Sequence, residues 1–271
     1  MAATLRLALV TDIHHGPDKP TRPGSVAPGL LRRFVEVVND EVRPDLVVDL
    51  GDRIDNVDPA EDARRDSEVR AILGELRAPV VHLRGNHDHP RHTDGGAPAP
   101  LSPPAPHHAG PRRILSGQWT LLALDTCDPA LGGVGGSVSP QQAETFERWL
   151  QEGEGPVVVL AHHPLDDHAI DGNPLFAPFP EWAFTREREA LRAAMERSGR
   201  VVAVFNGHVH WGVVRVTGGI PYVAVPSFLE RWRPEGPVPG AYAVATLGPG
   251  RRVRVDFRTL EGGMTLRLEH G

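Results

Sequence analysis

Short apolar runs of strand length recur along the first part of the chain, and turn-forming residues bound each of them. The runs are rich in valine and leucine and lack clean alternation between apolar and polar positions. That pattern is typical of strands that are covered on both faces. The six predicted strands span residues 5–10, 46–50, 80–83, 120–124, 157–160 and 201–205.

Helical patterns lie between several of these strands. An apolar stripe within residues 30–38 predicts one helix, and the more charged segment 62–76 predicts a second. Ser139, followed by a proline, is a typical helix start, with Ser139 as the cap and Gln142 completing a capping box. The fourth predicted helix spans residues 185–197.

Beyond residue 212 the pattern changes to successive strands with no helix between them, which we expect to be antiparallel. They span residues 213–216, 221–225, 242–246, 253–257 and 264–268. An α/β first part followed by a β-rich end predicts two sheets packed together with helices outside. We expect residues 1–271 to form one domain, because the sequence shows neither an internal repeat nor a separating linker. Irregular loops are predicted at residues 89–113, 166–182 and 229–240.

The composition narrows the class of protein. A formal net charge of −6 argues against general nucleic-acid binding. The single cysteine excludes an intramolecular disulfide and a cysteine-based zinc site. The N-terminal apolar run turns polar at Thr11, too early for a secretory signal, and no stretch approaches the roughly 20 apolar residues of a membrane span. We therefore expect a cytoplasmic protein without a membrane partner.

Five of the predicted strands are followed by residues of metal-ligand type. The motifs are Asp12-Ile13-His14, Gly51-Asp52, Gly85-Asn86-His87-Asp88, His162-His163-Pro164 and Gly207-His208-Val209-His210. In open α/β sheets, ligand sites gather at the carboxyl ends of the strands. Each motif alone is weak, because turns and helix caps use the same residues. Five of them in this order, each behind a strand, indicate one shared site.

The spacing within these motifs has a physical reason. Asp12 and His14 are two residues apart, so in extended backbone their side chains point the same way and can hold one ion. His208 and His210 repeat that spacing. Glycines just before the ligands permit tight turns and close backbone approach, and the Asp52 carboxylate has two oxygens with which to bridge two ions. A mixture of imidazole, carboxylate and amide oxygen suits Mn, Fe or Zn better than Ca or Mg.

In these motifs and in their order, the sequence resembles the calcineurin-like metallophosphoesterase superfamily. The resemblance covers residues from about 5 to 225, and its second motif extends through Asp55. It implies a four-layer αββα sandwich, in which helices flank two mixed β-sheets and a dinuclear metal site lies on one edge. The ligands that it implies for the first ion are Asp12, His14, Asp52 and His210. Those for the second ion are Asp52, Asn86, His162 and His208.

The same resemblance implies the chemistry. Two divalent or trivalent metal ions about 3.5–4 Å apart activate a water to hydroxide and clamp the phosphate oxygens. The hydroxide then attacks phosphorus in line with the leaving oxygen. His87 is expected to face the substrate as a general acid and to be oriented by Asp88.

The substrate is the open question within this chemistry. The motif style resembles cyclic-nucleotide and glycerophosphodiester phosphodiesterases most, so we expect a small phosphodiester. A phosphomonoesterase or a nucleotide pyrophosphatase on the same site is the alternative. A metal-free interaction scaffold is a remote one, because none of the seven ligands is substituted. The identity of the metals and self-association into a homo-oligomer are left open.

Further residues allow two interpretations each. Cys127 is interpreted as structural, and His15 as either a solvated loop residue or a residue behind the ligands. Asp55 is expected to orient its loop or a ligand, and Arg53 to reach a phosphate or the surface. A mobile loop, rather than a lid over the metals, is expected to carry His89, His92, His107 and His108. A solvated loop, rather than a grip on phosphate and base, is expected for Arg231, Trp232 and Arg233.

Overall fold

Two six-stranded sheets dominate the computed structural model, which describes residues 4–88, 110–128 and 134–271. The strands are β1 (Leu5–Val10), β2 (Asp18–Lys19), β3 (Arg22–Pro23), β4 (Leu46–Asp49), β5 (Val80–His82), β6 (Arg112–Ser116), β7 (Trp119–Ala123), β8 (Cys127–Asp128), β9 (Ser137–Val138), β10 (Val157–Leu160), β11 (Val201–Asn206), β12 (Val213–Thr217), β13 (Ile220–Ala224), β14 (Tyr242–Leu247), β15 (Val253–Arg258) and β16 (Met264–His270). The α-helices are α1 (Ala27–Val37), α2 (Pro59–Leu73), α3 (Pro140–Gln151) and α4 (Arg188–Ser198). Short 3-10 helices span Gly24–Val26, Pro180–Trp182 and Pro249–Arg251, and a π-helical turn, Val38–Val42, extends α1.

Both large sheets are mixed, and each has a parallel part that carries predicted motifs. The first sheet has the order β16-β15-β14-β1-β4-β5, in which β1, β4 and β5 are parallel. The second has the order β12-β13-β11-β10-β7-β6, in which β7, β10, β11 and β13 are parallel. The six strands predicted in the first part of the chain are confirmed, each within one residue at either end.

The hydrophobic core is divided into layers by the two sheets. Alternate residues of β1 point to opposite faces, so Leu7 lies in one buried cluster with Leu121 of the second sheet. Its neighbour Ala8 lies in another cluster with Phe34 of α1. Phe146 of α3 belongs to a third cluster, with outward residues of the second sheet. The order is therefore helix, sheet, sheet, helix, as predicted, and burial on both faces explains why the strand sequences do not alternate.

The four predicted helices are confirmed, with ends shifted by up to three residues. The Asp58 side chain caps α2 by accepting hydrogen bonds from two backbone N–H groups. Ser139 caps α3 as predicted, accepting from the Gln142 backbone N–H. The other contact of the expected capping box, from the Gln142 side chain back to the start of the helix, is wrong. Gln142 is buried, and its side-chain amide instead forms two hydrogen bonds with the backbone of Asp125.

The strands beyond residue 212 exist, but they do not form one antiparallel series. β12 and β13 pair with each other in the second sheet, where β13 also lies parallel to β11. β14, β15 and β16 form an antiparallel series in the first sheet, and a 3-10 helix separates β14 from β15. β14 pairs antiparallel with β1 and so covers an otherwise open edge of that strand. The intervening segment, residues 225–241, therefore crosses from one sheet to the other.

Two of the three predicted loops, at residues 166–182 and 229–240, lie wholly in the described part of the chain and contain no α-helix or strand. β6 begins at Arg112, so the last two residues of the predicted 89–113 loop belong to a strand, and residues 89–109 lie outside the described part of the chain. The loop at 166–182 ends in a 3-10 helix, and the loop at 229–240 contains neither helix nor strand. No helix in the described ranges has both the length and the apolar character that crossing a bilayer requires. The single domain over residues 1–271 stays a prediction.

Candidate metal centre

The motif-bearing loops of both sheets meet at one edge of the molecule. The loop after β1 pairs with the loop after β4, where the Asp12 N–H donates to the Gly51 carbonyl at 3.0 Å. Several contacts join the sheets to each other at this edge, and two of them involve backbone groups of the loops. The His208 N–H donates to Asp12 Oδ2 at 2.9 Å, and His162 Nδ1 bonds the Leu50 carbonyl at 2.9 Å. The carboxyl ends of several strands thus bring their polar side chains to one place.

Asp12, His14 and His210 form a first group of buried side chains. Two imidazoles face the same carboxylate oxygen: Asp12 Oδ1 is 3.7 Å from His14 Nε2 and 3.4 Å from His210 Nε2. The two Nε2 atoms are 3.1 Å apart. The first group therefore contains three of the four residues that the family resemblance implies for one ion.

His162, Asn86 and His208 form a second group of buried side chains. His162 Nε2 is 3.3 Å from Asn86 Oδ1, and the ring centres of His162 and His208 are 5.1 Å apart. His208 Nε2 bonds the Trp182 backbone carbonyl at 2.8 Å. That bond leaves Nδ1 of His208 as the nitrogen available to an ion.

Asp52 lies between the two groups and is close to both. Its Oδ2 atom is 3.7 Å from His14 Nε2 and 3.5 Å from His162 Nε2. Its Oδ1 atom accepts a hydrogen bond from the His87 backbone N–H at 2.8 Å. Burial acts to raise the pKa of Asp52, but the neighbouring histidines, His162 first, outweigh burial and hold that pKa well below its usual range. One ionised oxygen thus faces both groups, as a bridging ligand requires.

Hydrogen bonds distinguish the two adjacent histidines after β10. His163 uses both ring nitrogens, since Nδ1 bonds Thr126 Oγ1 at 2.7 Å and Nε2 bonds the Val134 carbonyl at 2.9 Å. Burial also lowers the pKa of His163 well below its usual range, so its ring is neutral. His162 bonds a carbonyl through Nδ1 alone and directs Nε2 at Asp52. The geometry therefore favours His162 as the ligand, in agreement with the expectation from the family resemblance.

The backbone at the candidate ligands is not extended. The φ angle is 51° at Asp12 and 45° at His14, and it is also positive at Asp52, His208 and His210. The left-handed region costs a non-glycine residue on the order of 1–2 kcal/mol. The expected reason for pairing Asp12 with His14 is therefore wrong, because tight turns rather than extended backbone bring both side chains inward. The same spacing in His208 and His210 places those two residues in different groups.

Two glycines allow the loops to approach each other closely. A methyl group at Gly207 would overlap the Thr11 hydroxyl and would lie 2.7 Å from Asp12 Oδ2. A methyl group at Gly85 would overlap the Asp52 carboxylate. Close approach of the backbone to the ligands, which the sequence predicts for these glycines, is what the structure shows.

The donor groups fit a pair of metal ions. Asp12 Oδ1 is buried and no hydrogen-bond donor of the described chain reaches it, although the imidazoles of His14 and His210 face it. Buried carboxylate oxygens are normally paired, and a cation held by these three side chains supplies the partner. The ligand atoms of Asp12, His14 and His210 lie within 4.8 Å of one another, as do those of Asp12, Asp52 and His162 and those of His162, His163 and His208. Carboxylate, imidazole and amide oxygen together suit transition metals.

His87 lies at the rim of the site, with 21% of its side chain exposed. Its Nδ1 is 3.4 Å from Asp55 Oδ1, and its ring packs edge-on against the His14 ring at 4.9 Å. The expectation that Asp88 orients this ring is wrong. The Asp88 carboxylate turns away and accepts hydrogen bonds from three backbone N–H groups of the loops after β4 and β5. Asp55 is the carboxylate next to the ring, which agrees with its expected orienting role.

Arg53 is held in the interior by three carboxylates. Its guanidinium lies 2.8 Å from Asp49, 2.6 Å from Asp66 and 3.2 Å from Asp88, and its side chain is only 2% exposed. Neither interpretation from the sequence was correct, since Arg53 reaches neither the surface nor a phosphate. It cross-links the loops after β4 and β5 with helix α2.

The other residues considered in the sequence have local partners. His15 is buried and bonds Glu68 at 3.1 Å, so the solvated alternative is wrong. Cys127 is buried, and burial raises the pKa of its thiol well above the usual range, as a structural role requires. Arg231 is partly exposed and donates to the Pro20 carbonyl at 2.8 Å, which is compatible with the expected solvated loop. Trp232 is partly exposed, and Arg233 is exposed. Outside the described residues lie His89, His92, His107 and His108.

Sequence patterns did not identify Glu230, which lies beside the first group. Its side chain is buried, and its Oε2 atom is 3.4 Å from His210 Nδ1. The two residues are 20 positions apart and on different segments, so no spacing rule connects them. A lone acidic residue at the start of the predicted 229–240 loop is the one signal, and it does not distinguish Glu230 from a surface residue.

Comparisons with known proteins give a consistent result. A family model for calcineurin-like phosphoesterases matches residues 5–212. A protein of Psychrobacter arcticus named "Probable cyclic nucleotide phosphodiesterase" is 25% identical over 240 residues, which cover 83% of this chain and 80% of that protein. The 3',5'-cyclic adenosine monophosphate phosphodiesterase CpdA of Vibrio vulnificus is 27% identical over 190 residues, which cover 66% of this chain and 60% of that protein.

Solved structures share the fold at low sequence identity. A dimetal phosphatase from Danio rerio aligns with a TM-score of 0.75 and 18% identity, over 98% of each chain. The purple acid phosphatase PPD1 of yellow lupin aligns with a TM-score of 0.69 and 12% identity, over 99% of this chain and 54% of that one. At these identities the likeness establishes the architecture alone.

Proposed function

We propose the activity of this protein from one premise: the chain belongs to the calcineurin-like phosphoesterase family. It is accordingly a metal-dependent hydrolase of phosphate esters. We propose more narrowly that a dinuclear centre hydrolyses a small phosphodiester, with a cyclic nucleotide as the favoured substrate. The observation that carries this proposal is the position of Asp52, whose Oδ2 atom lies within 3.7 Å of one imidazole from each group.

The proposed ligands divide between two positions that share Asp52. The first position is formed by Asp12, His14, Asp52 and His210, and the second by Asp52, Asn86, His162 and His208. Metal ions bound there supply Lewis-acid activation of water and neutralise phosphate oxygens. Imidazoles must be neutral in order to ligate. Burial lowers the pKa of His14 well below its usual range and that of His208 to about 3, so these two rings are neutral. Burial acts in the same way on His162 and His210, but Asp52 and Asp12, respectively, outweigh it and raise the pKa values, that of His162 to about 9. Metal binding at those two rings must therefore displace a proton.

We propose His87 as the general acid that protonates the leaving oxygen. Asp55 beside Nδ1 favours a proton on that nitrogen and turns Nε2 away from the carboxylate. Lys19 lies 2.5 Å and Arg22 3.1 Å from the same carboxylate. Burial acts to raise the pKa of Asp55, but these cations outweigh it and hold the pKa below its usual range.

If His87 is the general acid, His87→Ala should slow substrates with poor leaving groups most, and equal slowing of all esters would contradict this role.

An aromatic pair near the second group supports a nucleotide substrate. The Phe179 and Trp182 rings stack with centroids 4.3 Å apart, and the two residues are 45% and 39% exposed. The Trp182 carbonyl bonds His208, so the pair lies on a segment fixed to a candidate ligand. Exposed aromatic rings beside a phosphate site are suited to stacking on a nucleobase. The relatives from Psychrobacter arcticus and Vibrio vulnificus are both named as cyclic nucleotide phosphodiesterases.

The first experiment compares bis-p-nitrophenyl phosphate with p-nitrophenyl phosphate, metal-free and after loading with Mn²⁺, Fe²⁺ or Zn²⁺. Asp52→Asn serves as the matched control, because it keeps the size of the side chain and removes the shared charge. Faster hydrolysis of the diester, abolished in the control, followed by turnover of 3',5'-cyclic AMP, would support the proposal. Faster hydrolysis of the monoester would favour the phosphatase alternative. Cleavage only of a dinucleotide that is joined through a pyrophosphate would favour the pyrophosphatase alternative.

The cellular setting stays a proposal from the sequence. We propose a cytoplasmic enzyme, on the basis of its single cysteine, which fits a reducing compartment. Fractionation of cells that produce the protein is the direct test, and light scattering of the purified protein tests whether it forms a homo-oligomer.

A further inference from the structure

A short turn after β13 connects two residues of the first group. Ser227 Oγ donates to the Asp12 backbone carbonyl at 3.0 Å, and the Ser227 N–H donates to the His210 carbonyl at 2.9 Å. The same hydroxyl accepts the Glu230 backbone N–H at 3.1 Å. These contacts of the turn therefore fix the backbone of Glu230 relative to both Asp12 and His210, independently of the Glu230 side chain.

The Glu230 side chain points back to the first group. Its Oε2 atom is 3.4 Å from His210 Nδ1, the ring nitrogen opposite the one that faces Asp12. Glu230 is 5% exposed, and its Oε1 atom has no hydrogen-bond donor among the described residues. The His210 imidazole, the Thr21 side chain and the charge of Arg22 all act on this carboxylate. A buried carboxylate is costly to keep without such partners, and His210 is the one among them that belongs to the first group.

His210 differs in this contact from the other candidate imidazoles. His162 and His208 each direct their outer ring nitrogen at a neutral backbone carbonyl. His210 alone, among the candidate ligands in the described chain, has a carboxylate in that position. A carboxylate holds the proton on Nδ1 more firmly than a carbonyl does, and it makes Nε2 a stronger electron donor.

We propose that Glu230 is a positioning residue, which fixes the ring and tautomer of His210 and thereby strengthens binding of the ion in the first position. This inference rests on the proposed ligation by His210. The proposed role of Glu230 involves no contact with substrate or with the reacting atoms. Its effect is confined to the affinity of one metal position and reaches that position through one imidazole.

The test measures Co²⁺ affinity by dialysis against a competing chelator, together with the visible absorption of bound cobalt. Glu230→Ala should weaken binding of one of the two ions about 10–100-fold, since partners behind a ligating histidine have effects of that size. Glu230→Gln keeps the shape and an oxygen that can accept the Nδ1 proton, so its loss should be smaller. Glu235→Gln, the same substitution at an exposed position of the same loop, should bind both ions as the unaltered protein does.

A structural role is separated from a positioning role by repeating Glu230→Ala in a His210→Ala background. If Glu230 acts through His210, the second substitution adds little to the first, within about twofold. An undiminished loss in that background would overturn the proposal, as would cobalt affinities within twofold of the unaltered protein for both Glu230 variants. If Glu230→Ala fails to fold, Glu230→Gln alone decides the matter. No substrate is present, so a protein that binds two ions and leaves diesters intact would contradict the proposed function without affecting this inference.

Discussion

Replacing Arg53 with methionine should destabilise the protein far more than replacing a surface arginine. Arg53 is buried against Asp49, Asp66 and Asp88. Methionine is similar in size but uncharged, so Asp49 and Asp88 would stay buried without their cation. Removing one partner of a buried ion pair costs about 3–5 kcal/mol. That loss is a large part of the roughly 5–15 kcal/mol that keeps a protein folded.

The loss of stability in the Arg53→Met variant should also depend on pH, and the pKa shifts of the buried carboxylates give the direction of that dependence. Burial acts to raise the pKa of Asp49, but Arg53 and then His82 outweigh it and hold the pKa below its usual range. In the unaltered protein this ion pair therefore stabilises at every pH above the unfolded pKa of about 4. Burial raises the pKa of Asp88 to about 7, although Arg53 acts to lower it. Without Arg53 the folded pKa values of Asp88 and Asp49 both rise, although His82 still lowers that of Asp49. The variant therefore regains stability as the pH falls and Asp88 takes up a proton. The difference between the two proteins should be largest near pH 7.5 and smaller near pH 5.

Urea unfolding in excess chelator, at pH 7.5 and pH 5, measures both effects without a contribution from metal binding. Arg64→Met is the matched control, because Arg64 is 59% exposed and pairs with Glu61 and Glu68 on the surface of α2. Its cost should be about 1 kcal/mol or less. A cost for Arg53→Met that equals the control, or one that grows as the pH falls, would show that the buried charge network does not stabilise the fold.

Three further predictions follow from the site. Gly207→Ala should lower diester hydrolysis at least about 100-fold, since its methyl group would overlap the Thr11 hydroxyl and displace the ligands beside it; an unchanged rate would contradict this. Trp182→Ala should raise KM for cyclic AMP about tenfold with kcat retained, whereas the exposed Leu175→Ala should change neither. If Leu175→Ala has the same effect, stacking is not the cause. Cys127→Ala should keep activity within about twofold, because the buried thiol donates to the backbone carbonyl of Arg84, which is not a candidate ligand, and loss of catalysis with the fold intact would refute a structural role.

Most of the strands that carry the site were predictable because nearly all of their residues are buried. β10 and β11 are buried at every position, and their sequences are apolar runs of strand length, apart from Asn206 at the end of β11. β6 was missed because it is an edge strand whose residues alternate between partly buried and exposed, and it begins with two arginines. Such a strand has the composition of a loop until its partner, β7, is known.

Connections between distant segments were beyond the reach of sequence patterns. The five strands after residue 212 are similar in composition, and nothing in them marks the point at which the chain leaves one sheet for the other. That crossover, residues 225–241, is also what carries Glu230 to His210. Arg53 was misjudged for a related reason, because its partners come from four, 13 and 35 residues away. A side chain's burial depends on those partners and not on its neighbours in sequence.

Residue type and order predicted the candidate ligands. Their backbone conformation, however, contradicts the extended geometry that was expected to explain the spacing of Asp12 and His14. Eight non-glycine residues of the described chain have positive φ, and five of them are candidate ligands. Left-handed backbone at such residues costs on the order of 1–2 kcal/mol each and persists only where surrounding contacts over-determine it. Here Gly51, Asp52 and Arg53 accept hydrogen bonds from the loop after β1, and Asp88 accepts those of the neighbouring turn. These hydrogen bonds between the loops hold the left-handed backbone in place and so help to position the candidate ligands.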